Sequence, residues 1–468
     1  MSDLSTSFRE RAAGALNDRF LKQALDIATT KFLTLRRDAF GQFPEGEALR
    51  DRARSIKEAT LQRLDQHLER LVANVEAHGG HVHYATTAAE ARDVVLEIAR
   101  RTGARLVVKS KSMATEEIEL NEALEHAGVT PVETDLGEYI IQLAHEKPSH
   151  IIAPAIHKTK GQVAELFARE LKREVAADPE VLTRIAREEL RDKFLKADMG
   201  ITGANFAVAE TGTVVLVTNE GNGRMATSLP RVHVAIMGVE KVVPTMTDLM
   251  VFLAILARSA TGQKLSVYTT LVQGPRRSRE LEGPDELHLV LLDNGRIRQI
   301  AGPLREALSC LRCGACLNVC PVYRQIGGHA YGYTYPGPIS ILLTAMQHGQ
   351  ESVKELAHAS SLCGACLDAC PVRIDIPRML VELRRDNVEH GHVAQPGERL
   401  VFRAFARLLQ RPRLFRLSAR LARLAQRPFA RGGRIQRLPL FFGQWTKTRD
   451  LPQVASRTFS ERWKDLQS

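Results

Sequence analysis

The chain has 468 residues, 65 Lys+Arg against 54 Asp+Glu, and a formal charge of +11, with 44% hydrophobic and 25% charged content. That length predicts about two to four domains with room for a sizeable core, and the composition excludes global disorder. No run approaches the roughly 18 apolar residues of a membrane span.

Residues 1–75 read as helical: Arg9–Phe20, Leu21–Arg37 and Glu47–Ala73 carry apolar residues at three- and four-residue spacings. The opening M-S-D-L-S-T-S-F-R-E-R is polar and contains acids, unlike a secretory leader, so the expectation is a cytosolic protein. From 76 to 298 the pattern becomes α/β. Expected strands are Leu106–Lys109, His150–Ala153, Ala207–Glu210, Val214–Thr218, Val232–Met237, Ser266–Val272 and His288–Leu292. Expected helices include Ala88–Arg101, Thr115–His126 and Gly161–Arg173, and Leu249–Ala257 reads as a buried helix closed by Asp248 and Arg258.

Two stretches of this region invite a chemical reading. V-V-K-S-K-S-M-A-T-E-E runs from a strand into a helix start, where backbone N–H groups with Lys109 and Lys111 would hold a phosphate or carboxylate; the competing reading is that Ser112 or Thr115 caps the helix. In M-G-I-T-G-A-N-F-A-V-A-E-T-G-T-V-V-L-V-T-N-E-G-N-G-R, glycines 200, 203, 212, 221 and 223 sit at expected strand ends, where turns account for most of them. No dinucleotide or P-loop spacing occurs. Glu210 is a nucleophile or base only if a partner base lies near it, and otherwise a turn residue. His157 and His233 have no neighbouring ligand at a useful spacing and read as ordinary core or surface histidines.

The region 299–395 holds all seven cysteines: Cys310, Cys313, Cys316, Cys320, Cys363, Cys366 and Cys370. Such clustering in a reducing compartment points to metal. C-L-R-C-G-A-C-L-N-V-C-P is the C-x2-C-x2-C-x3-C-P run of bacterial ferredoxins, in which the fourth cysteine serves the other cluster. S-S-L-C-G-A-C-L-D-A-C-P repeats it with Ser360 at the first position. Cross-ligation gives Cys310, Cys313, Cys316 and Cys370 to cluster 1, and Cys320, Cys363 and Cys366 to cluster 2. The fourth corner of cluster 2 falls to the Ser360 oxygen, to water or a partner, or is lost in a three-iron form. Zinc is the competing metal, disfavoured by seven thiolates in two runs that each end in Cys-Pro. The long spacer, with helical patterns in Y-P-G-P-I-S-I-L-L-T-A-M-Q-H-G and E-S-V-K-E-L-A-H-A-S-S, predicts an all-α helical ferredoxin domain rather than a compact βαββαβ one. Tyr323, Tyr331, Tyr333 and Tyr335 crowd the segment after the first run and are expected to shield the clusters.

The arm 396–468 is expected to be helical and basic. Between Val401 and Leu440 lie eleven Arg and no Lys, Asp or Glu, so this segment accounts for the whole net charge. Leu417, Leu421 and Leu424 form an apolar stripe beside Arg416, Arg420, Arg423 and Arg427. Such a helix suits an acidic partner or an anionic membrane surface. No nucleic-acid reading motif accompanies it, so specific nucleic acid is not expected.

The motifs C-L-R-C-G-A-C-L-N-V-C-P-V-Y, G-G-H-A-Y-G-Y-T-Y-P-G-P-I, S-S-L-C-G-A-C-L-D-A-C-P-V and A-E-T-G-T…N-E-G-N-G-R…S-L-P-R-V-H make the chain resemble, over nearly its full length, the lactate-utilisation iron–sulfur protein B family of bacteria. The resemblance implies an α/β domain like the sugar-isomerase and CoA-transferase fold, a helical ferredoxin with two 4Fe–4S clusters, and a family-specific C-terminal region. It also implies a role in an L-lactate oxidation complex that yields pyruvate, with serine usual at position 360. No flavin or NAD fingerprint is present, so hydride abstraction is expected of a partner subunit. The competing readings are an iron–sulfur subunit of a glycolate oxidase or heterodisulfide reductase-like complex, and an iron–sulfur regulator that binds nucleic acid.

Overall fold

The computed structural model describes residues 6–389 and 396–467, in two compact units, Met1–His392 and Val393–Ser468. The sequence boundary at 395/396 touches residues outside those described.

In the first unit ten strands follow in order: β1 (His81–Ala85), β2 (Leu106–Lys109), β3 (Thr130–Glu133), β4 (Met199–Gly203), β5 (Phe206–Val208), β6 (Thr213–Thr218), β7 (Val232–Gly238), β8 (Val242–Val243), β9 (Tyr268–Val272) and β10 (Glu286–Leu292). Six of them form a parallel sheet in the order β1-β10-β7-β4-β2-β3. Both faces of this sheet are covered, as parallel strands require. Ile201, Val234, Ile236, Val290 and Leu292 pack with Val95, Ile98, Leu120 and Leu124 on one side. Ala235, Met237, Leu289 and Leu291, the alternate residues, pack with Leu64, Leu71 and Val75 on the other. The remaining four strands make a smaller mixed sheet, β8-β5-β6-β9.

The α/β expectation holds, with local differences that have physical causes. Strands β1, β3, β4 and β8 add to the expected set. His150–Ala153 is not a strand, because the His150 ring Nδ1 accepts the N–H groups of Ile152 (3.0 Å) and Ala153 (3.1 Å) and folds the segment into a turn. The expected helix Arg9–Phe20 ends early, since the Asp18 side chain accepts Leu21 N–H at 3.0 Å and starts a new helix, Arg19–Gly41. The long N-terminal pattern 47–73 breaks at Arg63 into Gly46–Gln62 and Leu64–Ala77. Glu119, with φ 51°, divides the helix expected over 115–126. Leu249–Ala257 lies inside the helix Met246–Ala260, as expected.

The glycines of the 199–224 stretch serve mainly close packing rather than turns. Only Gly212 has positive φ (68°). A Cβ on Gly200, inside β4, would stand 1.9 Å from the Ala226 carbonyl oxygen, and one on Gly203 would meet Ser112 Oγ at 2.7 Å. A Cβ on Gly221, by contrast, would meet nothing within 4 Å.

From 297 to 389 the described elements are short α-helices and 3-10 turns, without strands. Gly337–His348 is the helix expected after the first cysteine run. The segment 350–360 forms only the turns Gln350–Val353 and Leu356–His358, because Arg384 draws the carbonyls of Ala357 (2.8 Å) and Ser360 (2.9 Å) onto its guanidinium. The N-terminal helices share the core of this region, with Leu25, Ala53 and Leu61 packed in one cluster with five of the cysteines.

The second unit contains helices Pro396–Leu409, Pro412–Ala425 and Phe459–Gln467, plus a small antiparallel sheet. Leu417, Leu421 and Leu424 are exposed, as are Phe402, Phe405 and Leu409. Among the described residues no helix is long and apolar enough to cross a membrane.

Candidate metal centre

Each cysteine run curls through left-handed backbone before a short helix. Arg312 (φ 60°) and Gly314 (φ 73°) precede Ala315–Asn318, while Leu362 (φ 56°) and Gly364 (φ 85°) precede Ala365–Ala369. The two short helices pack on each other, which brings the runs together although 50 positions separate their C-G-A-C-L repeats (363 against 313). Left-handed turns of this kind aim backbone N–H groups at sulfur. Arg312 N–H points to Cys310 Sγ (3.4 Å), and Tyr323 N–H to Cys320 Sγ (3.5 Å).

All seven cysteines are free, and Cys310, Cys313, Cys320, Cys366 and Cys370 are buried. Their mutual influence falls into two groups, which Cys366 bridges by acting on Cys316 as well. Burial pushes Cys313 up to about 12 and Cys370 up to about 11, with Cys370 and Cys310 adding to the first and Cys310 to the second. Burial also holds Cys316 well above the thiol range, with Cys310, Cys313, Cys366 and Cys370 reinforcing it. In the other group, burial raises Cys320 with Cys363 adding, and carries Cys366 up to about 12 with Cys320 and Cys363 adding. Cys363 is the exception: it is exposed, and the Ala365 N–H and the Ser361 hydroxyl lower it. Ser361, which the sequence does not single out, is thus the hydroxyl at Cys363. Ser360 Oγ accepts Leu362 N–H at 3.1 Å.

Three features suit an anionic, thiolate-held cluster. The buried Tyr331 hydroxyl has no hydrogen-bond partner, and Cys320 and Cys316 are among the groups that raise it. Lys57 and Lys241, both buried beside Cys310, have no carboxylate within ion-pair distance among the described residues. Burial lowers them to about 8 and about 7. Glu240 is the one carboxylate that raises both, and it already serves Arg296 and Arg312, so a thiolate-ligated cluster would supply further negative charge beside them. Zinc would use four of the seven thiols and leave the rest unexplained.

Neighbouring elements hold the loops. Arg50 donates to the Cys370 carbonyl (2.9 Å) and pairs with Glu47 (2.8 Å), and Arg36 donates to the Ala369 carbonyl (2.9 Å). Arg296 forms buried pairs with Glu117 (2.7 Å) and Glu240 (2.7 Å), and Arg312 reaches Glu240 at 3.3 Å while its guanidinium lies 4.7 Å from the Tyr335 ring centre. Burial alone would raise Glu240, but Arg296, Arg312 and Lys241 hold it down at about 2. This network fastens the Cys310–Cys313 loop to the C-terminal ends of the sheet.

The tyrosines divide the shielding. Tyr323 and Tyr331 are fully buried, Tyr323 donating to the Ser149 carbonyl (2.7 Å); Tyr335 donates to Glu117 (2.7 Å), and Tyr333 is half-buried. The other singled-out residues take structural places. Lys109 is fully buried and pairs with Glu133 at 2.6 Å, so it holds no external anion. Ser112 caps Met113–Glu117 by accepting Thr115 N–H, whereas Lys111 lines a cavity of about 250 Å³. Glu210 is exposed and accepts Met246 N–H at 3.0 Å, a turn role. His233 is a core residue bonded to Thr202 Oγ1 at 2.9 Å. His157 does acquire neighbours: Nε2 lies 2.6 Å from Glu146, and its ring sits 4.5 Å from that of His329. Lys158 occupies the other Glu146 oxygen at 2.6 Å.

A family model described as LUD domain matches residues 68–292, one described as 4Fe-4S dicluster domain matches 306–374, and one described as Lactate utilisation protein B, C-terminal matches 383–468. The parallel-sheet domain and the double cysteine run therefore define an iron–sulfur protein built on a LUD domain. Lactate utilization protein B of Bacillus velezensis is 43% identical over 98% of this chain and 97% of its own, and that of Shouchella clausii is 45% identical over the same shares. The chain belongs to the lactate utilization protein B family. A solved DUF162 family protein from Deinococcus radiodurans covers 49% of this chain and 98% of its own, at 14% identity and a TM-score of 0.28.

Proposed function

We propose that this chain is the iron–sulfur electron-transfer component of an L-lactate oxidation complex, which converts L-lactate to pyruvate and allows growth on lactate. The observation that carries the reading is that the short helices Ala315–Asn318 and Ala365–Ala369 pack together and gather the two cysteine runs, among which we divide the thiols as a first group, Cys310, Cys313, Cys316 and Cys370, and a second, Cys320, Cys363 and Cys366. The full-length relatives favour lactate over a glycolate oxidase, a heterodisulfide reductase-like subunit or a nucleic-acid regulator. We assign the first group to cluster 1 and the second to cluster 2, both of the 4Fe–4S type, with Ser360, water or a three-iron form at the remaining corner.

When bound, the clusters supply one-electron carriage. The protein's part is to bury cluster 1 against the sheet, surround it with Lys57, Lys241 and Arg312, and leave cluster 2 near the surface at exposed Cys363. Positive charge and N–H···S hydrogen bonds favour the reduced state, and the exposed edge is where a redox partner exchanges electrons. Hydride abstraction belongs to a partner subunit. The division we adopt is 1–75 helical, 76–298 α/β on a sugar-isomerase-like plan, 299–395 helical ferredoxin and 396–468 basic arm. The arm docks an acidic partner subunit or the inner membrane face from the cytosolic side.

A deletion strain should fail to grow on L-lactate while it grows on glycolate, with the wild-type gene restoring lactate growth. Growth on lactate without the protein would refute the assignment.

A further inference from the structure

The cavity that contains Lys111 lies at the C-terminal edge of the parallel sheet, where β2, β4 and β7 end at Lys109, Gly203 and Gly238. Ligands of open parallel sheets bind at that edge. Both chemically suggestive sequence stretches converge here: Ser110, Lys111 and Ser112 from one, Asn205, Thr218 and Asn222 from the other. Leu311 and Arg312, which follow Cys310 directly, also line it, as does Lys241, which donates to the Cys310 carbonyl at 3.3 Å. At about 250 Å³ the space falls below the roughly 300–1,000 Å³ of sites for drug-sized ligands, so its occupant is small.

The wall also fixes the sign of the occupant's charge. Glu240 is engaged by Arg296 and Arg312, and Asp135 caps Leu136–Leu143 by accepting Gly137 N–H at 3.0 Å. Glu220 is exposed at the rim. Lys111, by contrast, donates to the Ile152 carbonyl and has no carboxylate within ion-pair distance among the described residues, buried Glu138 and exposed Glu220 being its more distant acidic neighbours. Asn222, 5% exposed, keeps an Oδ1 with no hydrogen-bond partner. Hydroxyl and amide groups beside an ammonium that forms no ion pair of its own suit a carboxylate that carries a second oxygen on the adjacent carbon.

We propose that this cavity binds a small 2-hydroxy or 2-oxo monocarboxylate, held by Lys111 and seated against Leu311 and Arg312, the two residues that follow Cys310. The choice of a lactate-sized acid rests on the lactate reading above; the choice of a small carboxylate rests on the cavity. The site makes the α/β domain a sensor or acceptor of substrate or product, one residue from the first cluster ligand.

The test is anaerobic calorimetry on the cluster-loaded full chain with L-lactate, pyruvate and lactamide, the neutral counterpart of lactate. One acid should bind saturably at a single site, lactamide at least ten-fold more weakly, and Lys111→Gln should weaken the acid at least ten-fold with cluster absorbance unchanged. The lactamide comparison uses the wild-type chain, so it decides even if Lys111→Gln misfolds. Absence of saturable binding by either acid, or equal binding of lactamide, overturns the proposal. Failure here with lactate growth still dependent on the protein leaves the electron-carrier reading standing; carboxylate binding with lactate growth independent of it refutes that reading and keeps the cavity.

Discussion

The Tyr331 hydroxyl is the residue from which cluster tuning can be read most cleanly. It is buried, unpartnered and beside Cys320 and Cys316, so it is placed to donate to sulfur once the cluster is bound. A hydrogen bond to sulfur stabilises the extra negative charge of the reduced state. Tyr331→Phe should therefore lower one reduction potential, by tens of millivolts on the order of 1 kcal/mol, while iron content stays constant; an unchanged potential in an equilibrium redox titration would show that the hydroxyl points elsewhere. Buried histidines contribute to the acid sensitivity of the fold. Burial lowers His150 and His233 to about 3, so the unfolded chain binds the extra protons between roughly pH 6.5 and pH 3. Their contribution to stability is complete above about pH 6.5 and is lost as pH falls through that window. Denaturant midpoints should fall from about pH 6.5 downward, and His233→Gln should flatten the slope.

At the scale of elements, the sheet was partly legible and its tight contacts were not. Strands β2, β6, β7 and β10 announced themselves as apolar runs, whereas β4 is M-G-I-T-G, whose glycines look like a turn. Gly200 is there because the helix Asn222–Ser228 packs directly on the strand, and Gly203 because Ser112 does, and no single-chain pattern encodes a neighbour 26 residues away (226 against 200). Gly200→Ala should cost about 3 kcal/mol or more, since its Cβ would overlap the Ala226 carbonyl and neither backbone can yield cheaply. A chemical-denaturation loss under about 0.5 kcal/mol would mean that the helix and strand separate without penalty. The cysteine runs were the opposite case. Thiol spacing is dictated by the geometry of the cluster, so the candidate ligands could be read at once, while the Arg296–Glu117–Glu240–Arg312 network that seats their loop joins four distant segments and left no local trace. Lys109 misled for a related reason: only the β2–β3 pairing shows that Glu133 stands directly opposite it.

Across the first unit, four features stand near one another in the chain's packing: a small cavity at the sheet edge, the residues Leu311 and Arg312 that line it directly after Cys310, the packed helices Ala315–Asn318 and Ala365–Ala369, and exposed Cys363. That arrangement suits a carrier with one buried and one accessible terminus. In the second unit, exposed leucines and phenylalanines lie on helices that bear many of the arginines, the arrangement expected of a docking surface. Truncation after Pro396 should leave cluster absorbance intact and abolish salt-sensitive association with the partner subunits or anionic vesicles; association that persists and ignores salt would show that the arm is only a solvated helix pair. The central claim, two cubane clusters on seven cysteines, is tested most directly by metal and sulfide analysis of anaerobically purified protein. The account predicts about eight iron and about eight acid-labile sulfide per chain; a colourless protein with stoichiometric zinc would contradict it.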